Sequence, residues 1–153
     1  QRVEQARELA QPGMFAPLVV SDFMFDKDAL FARLTLSDDE YRLYLQIARG
    51  VAPRLPPPDL VIWLQAPLGV LMQRVHRRGL AMEQQIDEAY VTALSDAYAT
   101  YFERRPGLPV LVVDAERFDT VGTPAHLEQL LAHLRRFAGP REVWSEPAPR
   151  IDR

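Results

Sequence analysis

The chain has 153 residues, 48% of them hydrophobic and 25% charged, which suits one globular domain with its own core. The formal net charge of −3 gives no electrostatic basis for nucleic-acid binding, and the lack of cysteine excludes disulfides and thiolate metal sites. No apolar run approaches the roughly 18 residues of a membrane span and no signal peptide is visible, so we expect a cytoplasmic protein without membrane contact.

Hydrophobic spacing and turn residues divide the chain into helices and short apolar strands. In chain order, we predict a helix over 1–9, a strand over 17–20, helices over 26–34 and 38–50, a strand over 59–64, helices over 68–78 and 84–104, a strand over 109–113, and a helix over 123–139. The chain starts with glutamine inside the first of these helices, so we expect that the natural protein begins earlier.

Local signals define several of these boundaries. Ser37 and Glu40 form a capping-box pattern in front of the helix over 38–50. Thr123 and Pro124 are an N-cap and a first-position proline for the last helix. The tail, residues 140–153, has the composition of a disordered segment.

The predicted strands are continuously apolar and helices separate them, which indicates an α/β fold with a parallel sheet covered on both faces. Ligands of such sheets bind beyond the carboxyl ends of the strands. Three segments follow these ends, namely Ser21 with Asp22, residues 65–67 and residues 114–118. We therefore expect them to face one crevice.

A cluster of cations follows the second predicted strand, in the sequence QRVHRRGLAME of residues 73–83. Arg74, Arg77 and Arg78 precede Gly79, and a guanidinium fits two phosphate oxygens at once. On a hinged segment, such a cluster could close over a polyphosphate as a phosphoryl-transfer lid. The alternative is a helix end whose cations complement the macrodipole and whose cap is Gly79.

Four segments together resemble the deoxynucleoside kinase family, most closely its bacterial deoxyadenosine/deoxyguanosine kinase branch. They are SDFMFDKDALFA (21–32), PPPDLVIWLQAP (56–67), RVHRRGLAMEQ (74–84) and VLVVDAERFD (110–119), and the resemblance extends over about residues 1–119. It implies a three-layer, P-loop kinase-like fold with helices on both faces of a parallel sheet. It also implies transfer of the γ-phosphate of ATP, with Mg²⁺, to the 5′-hydroxyl of a deoxynucleoside, with a purine expected from the branch.

One element of the family's pattern does not occur in these 153 residues, the phosphate-binding loop G-x-x-x-x-G-K-S/T. The resemblance therefore implies that residues 1–139 correspond to the C-terminal two thirds of a kinase domain. We expect the loop and the general base to lie upstream, and the chain to be inactive by itself.

On the acceptor side, the resemblance assigns four residues. Arg2 matches an arginine that reaches the acceptor base, and Glu83 matches a carboxylate that contacts the sugar 3′-hydroxyl. Asp22 and Lys27 match an ion-pair motif that organises the 5′-hydroxyl, although their charges are exchanged relative to the family. The alternatives are a surface arginine for Arg2, a helix cap for Asp22, and an acid in the first turn of a helix for Glu83.

On the donor side, Arg74 and Arg78 match lid arginines that contact the phosphates of ATP and act in catalysis. Leu80 stands where a third arginine is common in the family, and Arg77 could take its place. No metal ligand is assigned.

After the strand over 109–113, Glu116, Arg117 and Phe118 resemble the loop that holds the donor base. Phe118 is expected to stack on one face of adenine and Arg78 on the other. Asp114, in contrast, is interpreted as a turn residue.

Two other functions remain open. A thymidylate-kinase-like nucleoside monophosphate kinase shares the fold and could use Lys27 to bind its acceptor phosphate. If the natural chain begins at Gln1, a non-catalytic kinase-like subunit is expected instead. For either enzyme the partners are small molecules. The helix that contains Tyr41 and Ile47 is a candidate surface for a homodimer, although its apolar stripe equally fits an ordinary core-facing helix.

Overall fold

The computed structural model describes residues 18–22, 24, 26–51, 57–80, 86–119 and 122–145. Its helices are α1 (Asp26–Thr35), α2 (Asp38–Val51), α3 (Leu68–Arg78), α4 (Glu88–Glu103) and α5 (Pro124–Leu134), and its strands are β1 (Val61–Gln65), β2 (Val110–Asp114) and β3 (Arg141–Trp144). The chain divides into two compact units, one of Gln1–Pro57 with Ala93–Tyr98 and the other of Pro58–Thr92 with Ala99–Arg153. None of the described helices is both long and apolar enough to cross a membrane.

The start of α2 in the first unit confirms the predicted capping box. Glu40 Oε2 accepts hydrogen bonds from the backbone N–H of Ser37 at 2.9 Å and from its hydroxyl at 2.7 Å. The N–H of Glu40 in turn donates to Ser37 Oγ at 3.4 Å. The motif satisfies donors that a helix start leaves without intrahelical partners.

The strand predicted over 17–20 is wrong for its described residues. Leu18, Val19 and Val20 belong to no strand and are 76%, 46% and 86% exposed. A buried strand needs a hydrogen-bonded neighbour and a covering layer. The described part of the chain supplies neither to this segment, and apolar composition alone cannot replace them.

The second unit contains a parallel sheet in the order β1-β2-β3. Val61 of β1 is in register with Val110 of β2, and Val113 of β2 with Trp144 of β3. β1 and β2 confirm the strands predicted over 59–64 and 109–113. Val110, Leu111 and Val113 of β2 are less than 2% exposed, so the middle strand forms the centre of the core.

Helices cover both faces of β2, as predicted. Leu111 packs in one cluster with Leu130 of α5. Val112 points to the opposite face and is in register with Trp63 of β1, whose ring lies 4.8 Å from that of Phe102 of α4. The middle strand is therefore buried from both sides, which explains its uninterrupted apolar sequence.

β3 corrects the prediction that the tail over 140–153 is disordered, because residues 141–144 form a strand along the free edge of β2. Arg141 and Glu142 make the segment look polar, and Val143 is 66% exposed. Trp144 nevertheless is 6% exposed and joins the core. Residues 146–153 lie outside the described residues.

Two helix boundaries also differ from the prediction. α4 begins at Glu88 rather than near residue 84, because the Asp87 carboxylate caps it by accepting the N–H of Tyr90 at 2.7 Å. α5 ends at Leu134 instead of continuing to residue 139, and Thr123 holds the N-cap position without a side-chain cap bond.

Candidate active site

The carboxyl ends of β1 and β2 lie side by side, as predicted for two of the three strand exits. Gln65 and Asp114, the last residues of the two strands, are in register, and the N–H of Ala115 donates to Gln65 O at 2.6 Å. Ser21 and Asp22, which follow the strand predicted over 17–20, belong to the other compact unit.

The segment after β2, residues 115–118, is called the β2 exit loop below. Asp114 Oδ1 accepts the N–H groups of Glu116 at 3.0 Å and Arg117 at 3.2 Å. The N–H of Phe118 donates to Asp114 O at 3.0 Å. Asp114 is therefore the turn residue that the sequence predicts, and it holds the loop in one backbone conformation.

Arg74 of α3 contacts this loop. Its Nη2 donates to Ala115 O at 2.6 Å, and the side chain is partly buried. Met72 on the same helix is buried, whereas Arg77 and Arg78 are exposed. Arg77 and Arg78 lie three and four residues after Arg74 and so on the same side of α3, but of the three arginines only Arg74 is partly buried, where it reaches the sheet edge.

The alternative reading of the arginine cluster as a helix end is only partly correct. α3 ends at Gly79, which adopts a left-handed conformation with φ 64° and donates its N–H to Val75 O at 3.3 Å. Arg77 and Arg78 lie in the last turn, where a cation complements the macrodipole. Arg74 lies before that turn and contacts Ala115, outside its own helix.

Phe118 does not fulfil its predicted role. Its side chain is 3% exposed, and its ring stacks on that of Trp144 at 3.9 Å with an interplanar angle of 25°. His126 meets the same ring edge-on at 5.5 Å. A base cannot stack on a ring that the core already covers, so Phe118 is an anchor of the β2 exit loop.

Glu116 and Arg117 are the exposed members of the loop. Arg117 Nη1 donates to Ser145 O at 3.2 Å, and its Nε lies 3.4 Å from Asp114 Oδ2. Glu116 belongs to the turn that Asp114 holds, and its side chain is exposed. These two side chains and the loop backbone are the parts that a ligand at this edge could reach.

In the first unit, Asp22 and Lys27 are brought together, but not as the predicted ion pair. Lys27 Nζ donates to the backbone O of Asp22 at 2.9 Å. Asp22 is also not the cap of α1, because it lies four residues before Asp26, and the N–H of Lys27 bonds to Met24 O. Arg2 and Glu83 lie outside the described residues.

Trp144 is the residue near this site that sequence reasoning missed, because it was assigned to a disordered tail. The available signal was a short one, the β-branched and aromatic pair Val143 and Trp144 shortly after the turn residues Gly139 and Pro140. Across the described ranges, no three histidine or carboxylate side chains converge to hold a metal ion.

Comparisons with known proteins identify the family and the fold. A family model described as deoxynucleoside kinase matches residues 2–138. Deoxyguanosine kinase of Bacillus subtilis (strain 168) is 31% identical over 123 residues, which are 78% of this chain and 59% of that enzyme. A subunit of mitochondrial NADH dehydrogenase from Rattus norvegicus, 1 alpha subcomplex subunit 10, is 27% identical over 84 residues, which are 55% of this chain and 23% of that protein.

Among solved structures, deoxyadenosine kinase from M. mycoides with bound dATP superposes with a TM-score of 0.71 at 21% identity. The match covers 88% of this chain and 69% of that kinase, and it shows a shared fold. The chain spans 59% of the length of the deoxyguanosine kinase that it matches. Because the family model matches nearly all of its residues and the parallel sheet has the fold of a solved relative, the chain belongs to the deoxynucleoside kinase family.

Proposed function

We propose that this protein transfers the γ-phosphate of ATP to the 5′-hydroxyl of a deoxynucleoside, with a purine deoxynucleoside as acceptor, in nucleotide salvage. Family membership supports the reaction, and the similarity to a deoxyguanosine kinase supports the choice of a purine.

The observation that carries the proposal is the contact between Arg74 and Ala115 O at 2.6 Å. The guanidinium of Arg74 thus lies at the carboxyl edge of a parallel sheet, where ligands of such sheets bind, which supports its assignment to a phosphate-binding lid. One N–H of the guanidinium is used by the carbonyl, and others stay available for phosphate oxygens. Phosphoryl transfer depends mainly on positioned positive charge of this kind.

The donor half of the site consists of side chains from α3 and from the β2 exit loop. Arg74, Arg77 and Arg78 bind the phosphates of ATP. Glu116 and Arg117, with the loop backbone, bind the adenine edge. Phe118 supports the loop from the core and does not stack on the base.

The acceptor half consists of Asp22 and Lys27, together with Arg2 and Glu83 as the resemblance implies. Lys27 is already held within its own unit by the carbonyl of Asp22. Mg²⁺ accompanies ATP and shields phosphate charge during transfer, and none of the described residues is assigned to its coordination.

We also propose that the protein is a cytoplasmic homodimer. Leu43 and Ile47, four residues apart on α2, are 56% and 57% exposed, which supports a surface for a second copy. The absence of cysteine suits a reducing compartment.

One observation favours a second candidate, a kinase-like subunit without activity. Part of the chain is similar to a protein named as a subunit of NADH dehydrogenase. A fold shared by enzymes and other proteins does not by itself establish catalysis, so activity has to be measured.

The test is an assay of the protein expressed from its complete reading frame, with ATP and Mg²⁺ and each of the four deoxynucleosides or dTMP. We expect deoxyguanosine or deoxyadenosine monophosphate together with ADP, identified by mass spectrometry. A double variant, Arg74→Ala with Arg78→Ala, is purified in parallel and must lose the activity, which excludes a contaminating kinase. Phosphorylation of dTMP but of no nucleoside would overturn the proposal, and no product from any acceptor would favour the non-catalytic subunit.

A further inference from the structure

The β2 exit loop is held by strand ends on both of its sides. On the side of β1, Ala115 donates its N–H to Gln65 O at 2.6 Å. On the side of β3, Arg117 Nη1 donates to Ser145 O at 3.2 Å. The strand that follows α5 therefore contacts the same loop as the lid helix does through Arg74.

Trp144 makes the larger contact from β3. Its indole is 6% exposed and stacks on the Phe118 ring at 3.9 Å, closer than any other aromatic pair among the described residues. Stacked rings prefer a defined offset, so this pair restricts the position of Phe118 along the loop. Because Phe118 is the last residue of the loop, its position limits where Glu116 and Arg117 can lie.

Trp144 is itself fixed by its own surroundings. It is in register with Val113 of β2, and the His133 ring of α5 stacks on it at 5.5 Å with an interplanar angle of 21°. His133 Nε2 lies 3.0 Å from Glu142 Oε2, which ties α5 to β3. Because Trp144 packs against both a strand and a helix, it has little freedom to move, and this restricts the Phe118 ring that stacks on it.

We propose that Trp144 is a positioning residue for the donor nucleotide. It holds Phe118 in the core and thereby keeps Glu116, Arg117 and the loop backbone in the conformation that binds the adenine edge of ATP. This inference rests on the proposed function. It extends the site to β3, a strand to which no contact with the substrate is assigned.

Loss of the stack between Trp144 and Phe118 should weaken the binding of ATP and leave the binding of the deoxynucleoside unchanged. Replacing Trp144 by leucine keeps an apolar side chain in the core but removes the stack on Phe118. We expect the KM for ATP to rise about tenfold, which corresponds to the loss of one aromatic contact. The KM for the deoxynucleoside should not change, because no residue of the β2 exit loop is assigned to the acceptor.

The experiment uses the full protein with Trp144→Leu, Trp144→Phe and Val143→Ala. Phenylalanine retains a ring that can stack on Phe118, so Trp144→Phe should keep the wild-type KM for ATP. Val143→Ala is the matched control, because Val143 lies on the same strand but is 66% exposed. Hydrogen exchange is measured on the amides of Glu116, Arg117 and Phe118, all of which donate to Asp114. These amides should exchange faster in Trp144→Leu than in the wild type or in Val143→Ala.

A measurement of ATP binding that needs no phosphoryl transfer distinguishes the role of Trp144 from the proposed function. These 153 residues contain two tryptophans, so Trp63→Phe, with any tryptophan elsewhere in the reading frame also replaced by phenylalanine, leaves Trp144 as the only tryptophan, and an ATP titration should change its emission. Unchanged exchange in Trp144→Leu, an equal rise of both KM values, or an emission that ATP does not alter would each overturn the role of Trp144. A Trp63→Phe protein that shows the expected emission change with ATP, while neither it nor the wild type phosphorylates any acceptor, would overturn the proposed function only.

Discussion

Arg74 Nη2 donates a 2.6 Å hydrogen bond to the carbonyl oxygen of Ala115, 41 residues away along the chain. This bond joins α3, whose arginines we propose to form a lid, to the loop after the middle strand. An arginine in the last turn of a helix could serve the helix alone, but Arg74 precedes that turn and reaches another element. A guanidinium suits this position because it has five N–H donors, and the carbonyl uses one of them.

Replacing Arg74 should therefore affect both activity and stability. We expect Arg74→Ala to lower kcat about 10³-fold, because a guanidinium that neutralises charge in phosphoryl transfer contributes on that order. The lost bond to a partly buried carbonyl should also lower the free energy of unfolding by about 1 kcal/mol. Steady-state kinetics and urea unfolding measure the two effects.

Arg74→Lys and Gln73→Ala complete this series. Lysine can restore a single hydrogen bond to Ala115 but not the planar fork, so it should recover stability more fully than kcat. Gln73 is exposed on the same helix, and its removal should leave both quantities unchanged. Equal kcat in Arg74→Ala and Gln73→Ala would contradict a role of Arg74 in transfer.

The two glycines at the ends of α3 should respond oppositely to alanine. Gly79 has φ 64°, a left-handed conformation in which a Cβ costs about 1 kcal/mol, so Gly79→Ala should lower the free energy of unfolding by that amount. Gly69 lies in the first turn of α3 with nothing within 4 Å of an added Cβ. Gly69→Ala should therefore stabilise the protein by roughly 0.5 kcal/mol.

Thermal and urea unfolding of the two variants provide the measurement. Because both substitutions add one methyl group to the same helix, each controls for the other. A loss of stability of the same size at both positions would contradict the assignment of strain to the φ angle of Gly79.

The contacts of Glu142 should make part of the stability dependent on pH. The backbone N–H of Ala138, 3.0 Å from Oε1, is the main cause that holds the pKa of the Glu142 carboxyl below its usual range, and His133 adds to it. A lowered pKa in the folded state means that the unfolded state binds the proton more readily. This contribution is thus present above the unfolded glutamate pKa of about 4.3 and is lost as the pH falls through the lower, folded value.

Glu142→Gln tests this sign. The variant should be less stable than the wild type near neutral pH, and the difference should shrink as urea unfolding is repeated at pH values from about 5 to about 3. Glu128→Gln, on the exposed side of α5, is the control for the loss of one carboxylate. A difference between Glu142→Gln and the wild type that stays constant over this range would disagree with the prediction.

The capping box of α2 should be separable from the candidate site. Ser37→Ala removes the hydroxyl that accepts the N–H of Glu40, and such a substitution typically costs about 1 kcal/mol. Stability should fall while the KM values for ATP and deoxynucleoside remain unchanged. Ser37→Thr keeps a hydroxyl that can both donate to Glu40 Oε2 and accept its N–H, so it should retain stability, and a loss as large as that of Ser37→Ala would indicate that the hydroxyl does not act as a cap.

Residues whose partners are near in sequence were predicted well. Ser37 and Glu40 are three residues apart, and Gly79 ends its own helix, so the residues that make these contacts are close together in the sequence. Asp114 was interpreted as a turn residue, and its bonds reach only as far as Phe118. Such contacts depend on local backbone geometry, which a short stretch of sequence specifies.

The errors concern residues whose environment depends on distant partners. Val19 and Val113 lie in similar apolar runs, yet the described structure leaves one exposed and buries the other in the middle of a sheet. The sequence predicts that Phe118 stacks on the donor base, whereas in the structure Trp144, 26 residues later, covers its ring. Hydrophobicity indicates that a side chain favours burial, but it does not identify what buries it.

By itself, the sequence determined most of the helices, the strands β1 and β2, and the resemblance to the deoxynucleoside kinases that the comparisons confirmed. Only the tertiary structure decided that residues 141–144 extend the sheet, that Phe118 is an anchor, and that Arg74 binds the loop after β2. The physical reason is the range of the interactions. Helix caps and turns close within a few residues, whereas sheet edges, ring stacks and a guanidinium bond to a remote carbonyl exist only after the chain has folded.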